Sequence, residues 1–169
     1  VNAGANVINL SLSIPESSRV LQEATDYAAT NGVVVIAAAG NDGQKVALYP
    51  AAYDHVIGVG AVDSKNQKAS FSNYGNRSVA VVAPGADLYG PYPVPGTMGM
   101  AYWSGTSFST ALVTGEAALL FQLEAGHRKA ADRVTRTILE SATSLEDIDP
   151  VYGDQLGRGL IDLYAAVIE

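Results

Sequence analysis

No cysteine occurs among the 169 residues. Disulfide frameworks and thiolate chemistry are therefore excluded, while the compartment stays open, since many secreted proteins also lack cysteine. Charge is scarce and mostly negative: 10 Lys and Arg against 17 Asp and Glu give a net charge of −7. A chain so short of clustered basic residues cannot neutralise a phosphate backbone, which excludes nucleic acid as a partner. Long apolar runs are missing too. The longest, "GVVVIAAAG", falls far short of the ~20 residues that span a bilayer, so no membrane partner is expected. No basic segment followed by an apolar stretch opens the sequence, and no signal peptide is visible. Histidine occurs twice, as His55 and His127, which limits the general bases on offer.

What is present suits a globular domain. Hydrophobic residues make up 48% of the chain, enough for one compact core and too many for disorder. Four short runs, "NVINLSLS", "GVVVIAAAG", "HVIGVGAV" and "SVAVVAPG", are rich in Val, Ile and Ala without strict alternation. That pattern predicts strands buried on both faces. Between the first two lies "ESSRVLQEATDYAATNG", where Val20, Leu21, Ala24, Tyr27 and Ala28 share one helical face and Asn31-Gly32 closes the helix. Strand, helix and strand in succession predict a βαβ unit and a parallel sheet, hence a doubly wound α/β fold.

Beyond residue 104 the pattern becomes helical. An Ala- and Leu-rich segment from 107 to about 124 reads as a buried helix. "RKAADRVTRTILESAT" is amphipathic, with Ala131, Val134, Ile138 and Leu139 on its apolar stripe, and "LIDLYAAVIE" reads as a short terminal helix. Residues 41–50 and 84–103, which hold much of the Gly, Pro and Tyr, read as loops.

Two positions could carry chemistry. Ser107, in "SGTSFSTALVTGEAALL", stands where a helix begins, in the positive field of the helix dipole and near unpaired N–H groups. There a serine can act as a nucleophile beside an oxyanion-binding amide, or simply cap the helix. Asn41 follows the buried strand in "VVVIAAAGND", at the carboxyl end where α/β sheets place their ligands. Its amide can donate to a developing oxyanion, or stabilise an Asn-Asp-Gly turn. No strand leads into a phosphate-binding glycine loop, which argues against a nucleotide site.

Taken together, "INLSLS", "AAAGNDG", "YPAAYDHVIGVGAVDSKNQKASFSNYG", "VVAPG" and "SGTSFSTALVTG" occur in an order that resembles the subtilisin-like serine proteases. The resemblance covers essentially the whole chain. It implies a serine endopeptidase that hydrolyses extended peptides through an acyl-enzyme and needs no cofactor for its chemistry. Ser107 would be the nucleophile, and Asn41 the oxyanion donor together with the Ser107 N–H. Ser11, Leu12 and Ser13 would match the strand that pairs with the substrate backbone, and Ala37, Ala38, Ala39 and Gly40 one wall of the side-chain pocket. The backbone carbonyls of Ala51, Tyr53 and Val56 would match a weak structural site for calcium or a monovalent cation. An extracellular setting is also implied.

The chain departs from the family pattern where a base is needed. The subtilisin triad runs Asp, His, Ser along the chain. Residues 1–40 hold no histidine, and their one aspartate, Asp26, falls within the first predicted helix. Neither His55 nor His127 sits in the family's histidine motif. The chain thus reads as the C-terminal part of such a domain, without the strands that would flank "NVINLSLS", and is expected to be inactive alone. An open strand edge there predicts self-association or pairing with a complementary N-terminal fragment. The alternative is a non-catalytic fragment that binds peptides or partners. Smaller departures are Ala111 and Leu112, where the family usually has proline and histidine, and Ser13-Ile14, where many members have two glycines.

Overall fold

The computed structural model describes residues 1–124 and 129–168, so His127 lies outside the described residues. Four strands, β1 (Val7–Leu10), β2 (Val34–Ala38), β3 (Val56–Val62) and β4 (Val81–Pro84), form a parallel sheet in that order. Every residue of β2 is buried, as a continuous apolar run between two covered faces requires.

Alternation along β2 assigns the two faces. Val33 and Val35 pack with Ala28, Ile8, Leu10 and Val56 beneath α1 (Arg19–Thr30). Val34 and Ile36 join Ile57, Val59, Val81 and Ala83 on the opposite face, under Val113, Ala117 and Leu120 of α2 (Thr106–Leu123), with Val134 and Ile138 of α3 (Ala130–Ser141) beside them. α4 (Leu163–Ile168) adds Ala166 to this second layer. The expected doubly wound α/β architecture is therefore present.

Two details differ from the sequence reading. In α1 the buried stripe is Thr25 and Ala28, with Leu21 half-buried, whereas Val20 and Tyr27 lie in solvent at 78% and 51% exposure. Residues 21, 25 and 28 already fill one face of the helix, which turns the 20–24–27 row outward. Residues 84–103 are not a loop throughout. β5 (Leu88–Val94) and β6 (Thr97–Trp103) form an antiparallel hairpin closed by Pro95-Gly96. Pro91 and Pro93 donate no ladder bonds, which makes such a segment read as irregular.

Parallel strands bring their carboxyl ends to one edge of the sheet, and α2 begins there. Gly105 N–H donates to the Gly85 carbonyl at 2.8 Å, and Ser109 Oγ to the Ala83 and Pro84 carbonyls at 3.0 and 3.1 Å. A side chain at Gly85 would collide with Ser109 Oγ and with Ala61 Cβ. These contacts fix the first turn of α2 against the end of β4.

Candidate active site

Three chain segments meet at the N-terminus of α2. The loop after β2 supplies Asn41, the segment after β1 supplies Ser11 to Ser13, and the helix itself supplies Ser107 on its first turn. Gly105 enters the helix at φ 155° and forms no side-chain cap, so Ser107 is not the N-cap residue. The capping alternative for this serine is thereby removed. Its hydroxyl instead points at the Ser11 carbonyl, 3.5 Å away, while Ser11 Oγ donates to the Ser107 carbonyl at 3.1 Å.

Asn41 is fixed by its neighbour, Thr106. Its Oδ1 accepts from the Thr106 N–H at 2.9 Å and from the Thr106 hydroxyl at 3.0 Å. Two donors on one atom leave a single consistent amide orientation, with Nδ2 the free end. Among the described residues Nδ2 has no partner, and Asn41 is exposed. Nδ2 also lies 3.7 Å from the position a Gly105 Cβ would occupy, beside the turn that leads into Ser107. The site therefore presents a hydroxyl and an unused amide donor at the positive end of a helix. Such donors stabilise charge that develops on an oxygen.

The flanking walls follow. Ala37 to Gly40, at the end of β2 and in the turn that leads to Asn41, are buried. Ser11, Leu12 and Ser13 lie beyond the end of β1, exposed, with Leu12 at 48%. Ile14 exchanges two backbone hydrogen bonds with Tyr49, at 2.7 and 2.9 Å, tying this segment to the loop before β3. Leu48 approaches Gly40 so closely that an added Cβ would lie 2.6 Å from its Cδ1. Sequence reasoning missed Leu48, Thr106 and the buried Asn73 beside them. Thr106 was legible as the residue before the candidate nucleophile; Leu48 and Asn73 carried no comparable signal.

Among the described residues the one histidine, His55, does not complete the site. His55 immediately precedes β3, at its amino end, with φ 65°, and lines a surface cavity of about 480 Å³ with Ala29, Thr30, Arg136 and Arg158. Ser107 belongs to the opposite edge of the sheet.

Ala51, Tyr53 and Val56 line a separate cavity of about 560 Å³. Ala51 O and Ser78 O both point into the space left by the missing side chain of Gly58. Tyr53 O already accepts from Val56 N–H, at 3.4 Å. Calcium takes six to eight oxygens and normally several carboxylates. Here the donors are neutral, Asp54 is the one carboxylate lining the cavity, and Arg77 brings a guanidinium into it. This donor set does not fit calcium. No cluster of three or more acidic or imidazole ligands exists among the described residues.

Fold and site together define a doubly wound α/β domain that presents a serine at a helix N-terminus beside a free carboxamide. The model of the subtilase family matches residues 1–157, and the chain belongs to that family. Subtilisin DY of Bacillus licheniformis is 41% identical over 167 residues, covering 96% of this chain and 57% of the relative. Thermitase of Thermoactinomyces vulgaris is 38% identical over 164 residues, covering 97% and 54%. The chain thus spans about half the length of the curated relatives it matches. Among solved structures, the prenylagaramide maturation protease PagA aligns with a TM-score of 0.87 at 33% identity, over 99% of this chain and 62% of that one. The PatG macrocyclase in complex with peptide aligns at 0.86 and 26%, over 99% and 52%.

Proposed function

We propose that this chain carries the nucleophile and oxyanion-binding part of a serine endopeptidase centre. The observation that carries the reading is the fixed orientation of Asn41, whose Oδ1 is occupied by Thr106 and whose Nδ2 is free beside the turn bearing Ser107. In the reaction, Ser107 Oγ attacks the peptide carbonyl carbon and forms a tetrahedral adduct. Asn41 Nδ2 and the Ser107 N–H donate to the oxyanion. Collapse of the adduct expels the amine and leaves an acyl-serine, which water then hydrolyses.

A serine hydroxyl needs a base to take its proton, and no imidazole among the described residues approaches Ser107. The base, and the acid that orients it, are contributed from outside this chain. The chain alone is then inactive, because a serine without its base retains only residual catalysis. Substrate enters as an extended peptide along Ser11, Leu12 and Ser13, with one side chain directed against the Ala37–Gly40 wall. At the Ala51, Tyr53 and Val56 carbonyls, a monovalent ion suits the neutral donors better than calcium. The extracellular setting implied by the family resemblance is kept as part of this reading.

A second reading, a partner- or peptide-binding module without catalysis, is favoured by one observation: β1 is a sheet edge with one side unpaired. A fluorophosphonate serine probe separates the two. Ser107 is expected to label only when a segment supplying Asp and His is added, and S107A is expected to abolish labelling. In the complemented enzyme N41A should lose about 10²–10³ in kcat, the magnitude measured for the corresponding donor of a subtilisin. Absence of labelling in every arm would leave the binding module.

A further inference from the structure

We infer that Asn73 is a positioning residue for Asn41, holding the loop that presents the oxyanion-binding amide without itself reaching the reacting atoms. The inference rests on the peptidase reading above. Asn73 is fully buried, in the "FSNYG" segment between β3 and β4, and its whole side chain is committed to the turn after β2. Nδ2 donates to the Ala39 carbonyl and to the Asp42 carboxylate, each at 3.1 Å. Oδ1 accepts from the N–H groups of Asp42 at 3.0 Å and Gln44 at 3.1 Å. Its own backbone N–H donates to the Gly40 carbonyl at 3.1 Å. Residues 39, 40, 42 and 44 are therefore pinned by one side chain and its backbone, and residue 41 stands at the centre of that ring.

Asn73 is anchored in turn to the sheet. Ser72 Oγ accepts from Ala61 N–H of β3 at 2.8 Å and donates to the Asn73 carbonyl at 3.0 Å. The line of support thus runs from β3 through Ser72 and Asn73 to the turn, and ends at Asn41. Gly40 shows how closely this support fits: in its left-handed conformation, φ 101°, an added Cβ would lie 2.5 Å from Asn73 Nδ2. A donor acting on a transition state must be held within ~0.5 Å of its productive position, which exposed loops do not achieve unaided. The five hydrogen bonds of Asn73 supply that restraint where the loop is otherwise irregular.

The test is a double-mutant cycle in the full-length enzyme, on a peptide substrate, with N41A, N73A and the double variant. N73A is expected to lower kcat about 10–100-fold with KM unchanged, since a small misplacement costs up to ~10²-fold. Added to N41A, it should cost less than threefold, because its effect passes through the amide already removed. Losses that multiply, or an N73A effect confined to KM or Tm, would overturn the inference. Should N73A fail to accumulate folded, the near-isosteric N73D carries the same cycle with the same outcomes. One readout does not depend on turnover. The ¹⁵N–¹H resonances of the Asn41 side-chain amide are expected to broaden in N73A while amides of α3 stay unchanged. An unaltered Asn41 pair defeats the positioning role even if the protein is a peptidase; an active S107A variant defeats the peptidase reading instead.

Discussion

Gly40 and Gly115 are the same amino acid under opposite constraints. Gly40 sits between Asn73 and Leu48 at a positive φ, with an added Cβ 2.5 and 2.6 Å from their side chains. Gly40→Ala should cost about 2–4 kcal/mol, combining a left-handed backbone with overpacking. Because the strained residue is next to Asn41, activity in the complete enzyme should fall further than stability does. Gly115 lies on the exposed side of α2, and a Cβ there meets nothing within 4 Å. Gly115→Ala should stabilise the chain by ~0.5–1 kcal/mol, the helix propensity gain. Urea unfolding of both variants checks the pair, and equal effects would contradict the close approach at residue 40. At this scale the sequence is readable where a motif singles out a residue type, as at the candidates Ser107 and Asn41, which the fold brings to one end of the sheet. It is silent where the function lies in fit: nothing in "FSNYG" announces that its asparagine encircles a turn 30 residues upstream, because that relation exists only after β2 and β3 pair.

Helices and strands show the same division. The four parallel strands were legible because burial on both faces demands an unbroken apolar run. The buried stripe of α1 was not, since Thr25 and Ala28 face the sheet while the more hydrophobic Val20 and Tyr27 do not. Its amphipathicity gave the helix but not its rotation. α2 holds a sharper anomaly: Glu116 is 2% exposed, and neither carboxylate oxygen has a partner. Burial pushes its pKa up to about 7, and the charge of Asp162, at the start of α4, adds to the rise. β1 to β4 carry no ionisable side chain, and the charged residues of α3 do not shift it. An unfolded glutamate titrates near ~4.3, so the folded chain keeps a proton that the unfolded chain releases. Stability from this group is full below about 4.3 and is lost as pH rises to about 7, in total on the order of 3 kcal/mol. Midpoints of urea unfolding should fall between pH 5 and 7.5, and the E116L variant should flatten that decline. A wild-type profile flat over the same range would show that Glu116 is solvated or paired in solution.

For the molecule as a whole, the two sides of α2 decide its behaviour. One side packs Val113, Ala117 and Leu120 into the core. The other leaves Leu112, Leu119 and Leu123 at 45%, 52% and 56% exposure. A helix apolar all round belongs in an interior, and this one has a partner on one face only. At one end of the sheet β1 pairs with β2 and, among the described residues, has no strand on its other side. α2 packs against β1 and is tied to it by a hydrogen bond from Thr114 to Asn9, at 2.9 Å. At about 100° per residue Thr114 stands on the opposite flank of the helix from the leucine row, so strand edge and leucines are two separate uncovered surfaces. An exposed apolar row and an open strand edge are each a template for another chain. Light scattering coupled to size exclusion should therefore find the isolated chain associated at high concentration. Adding a segment able to pair with the open side of β1 should dissolve that association into a one-to-one complex. L119E should weaken the self-association, because it places a charge on the exposed leucine row while leaving the α2 core face intact. A stable monomer at high concentration, indifferent to L119E, would mean that β1 and α2 need no covering, and with that the proposed division of the catalytic machinery between this chain and another segment would lose its structural basis.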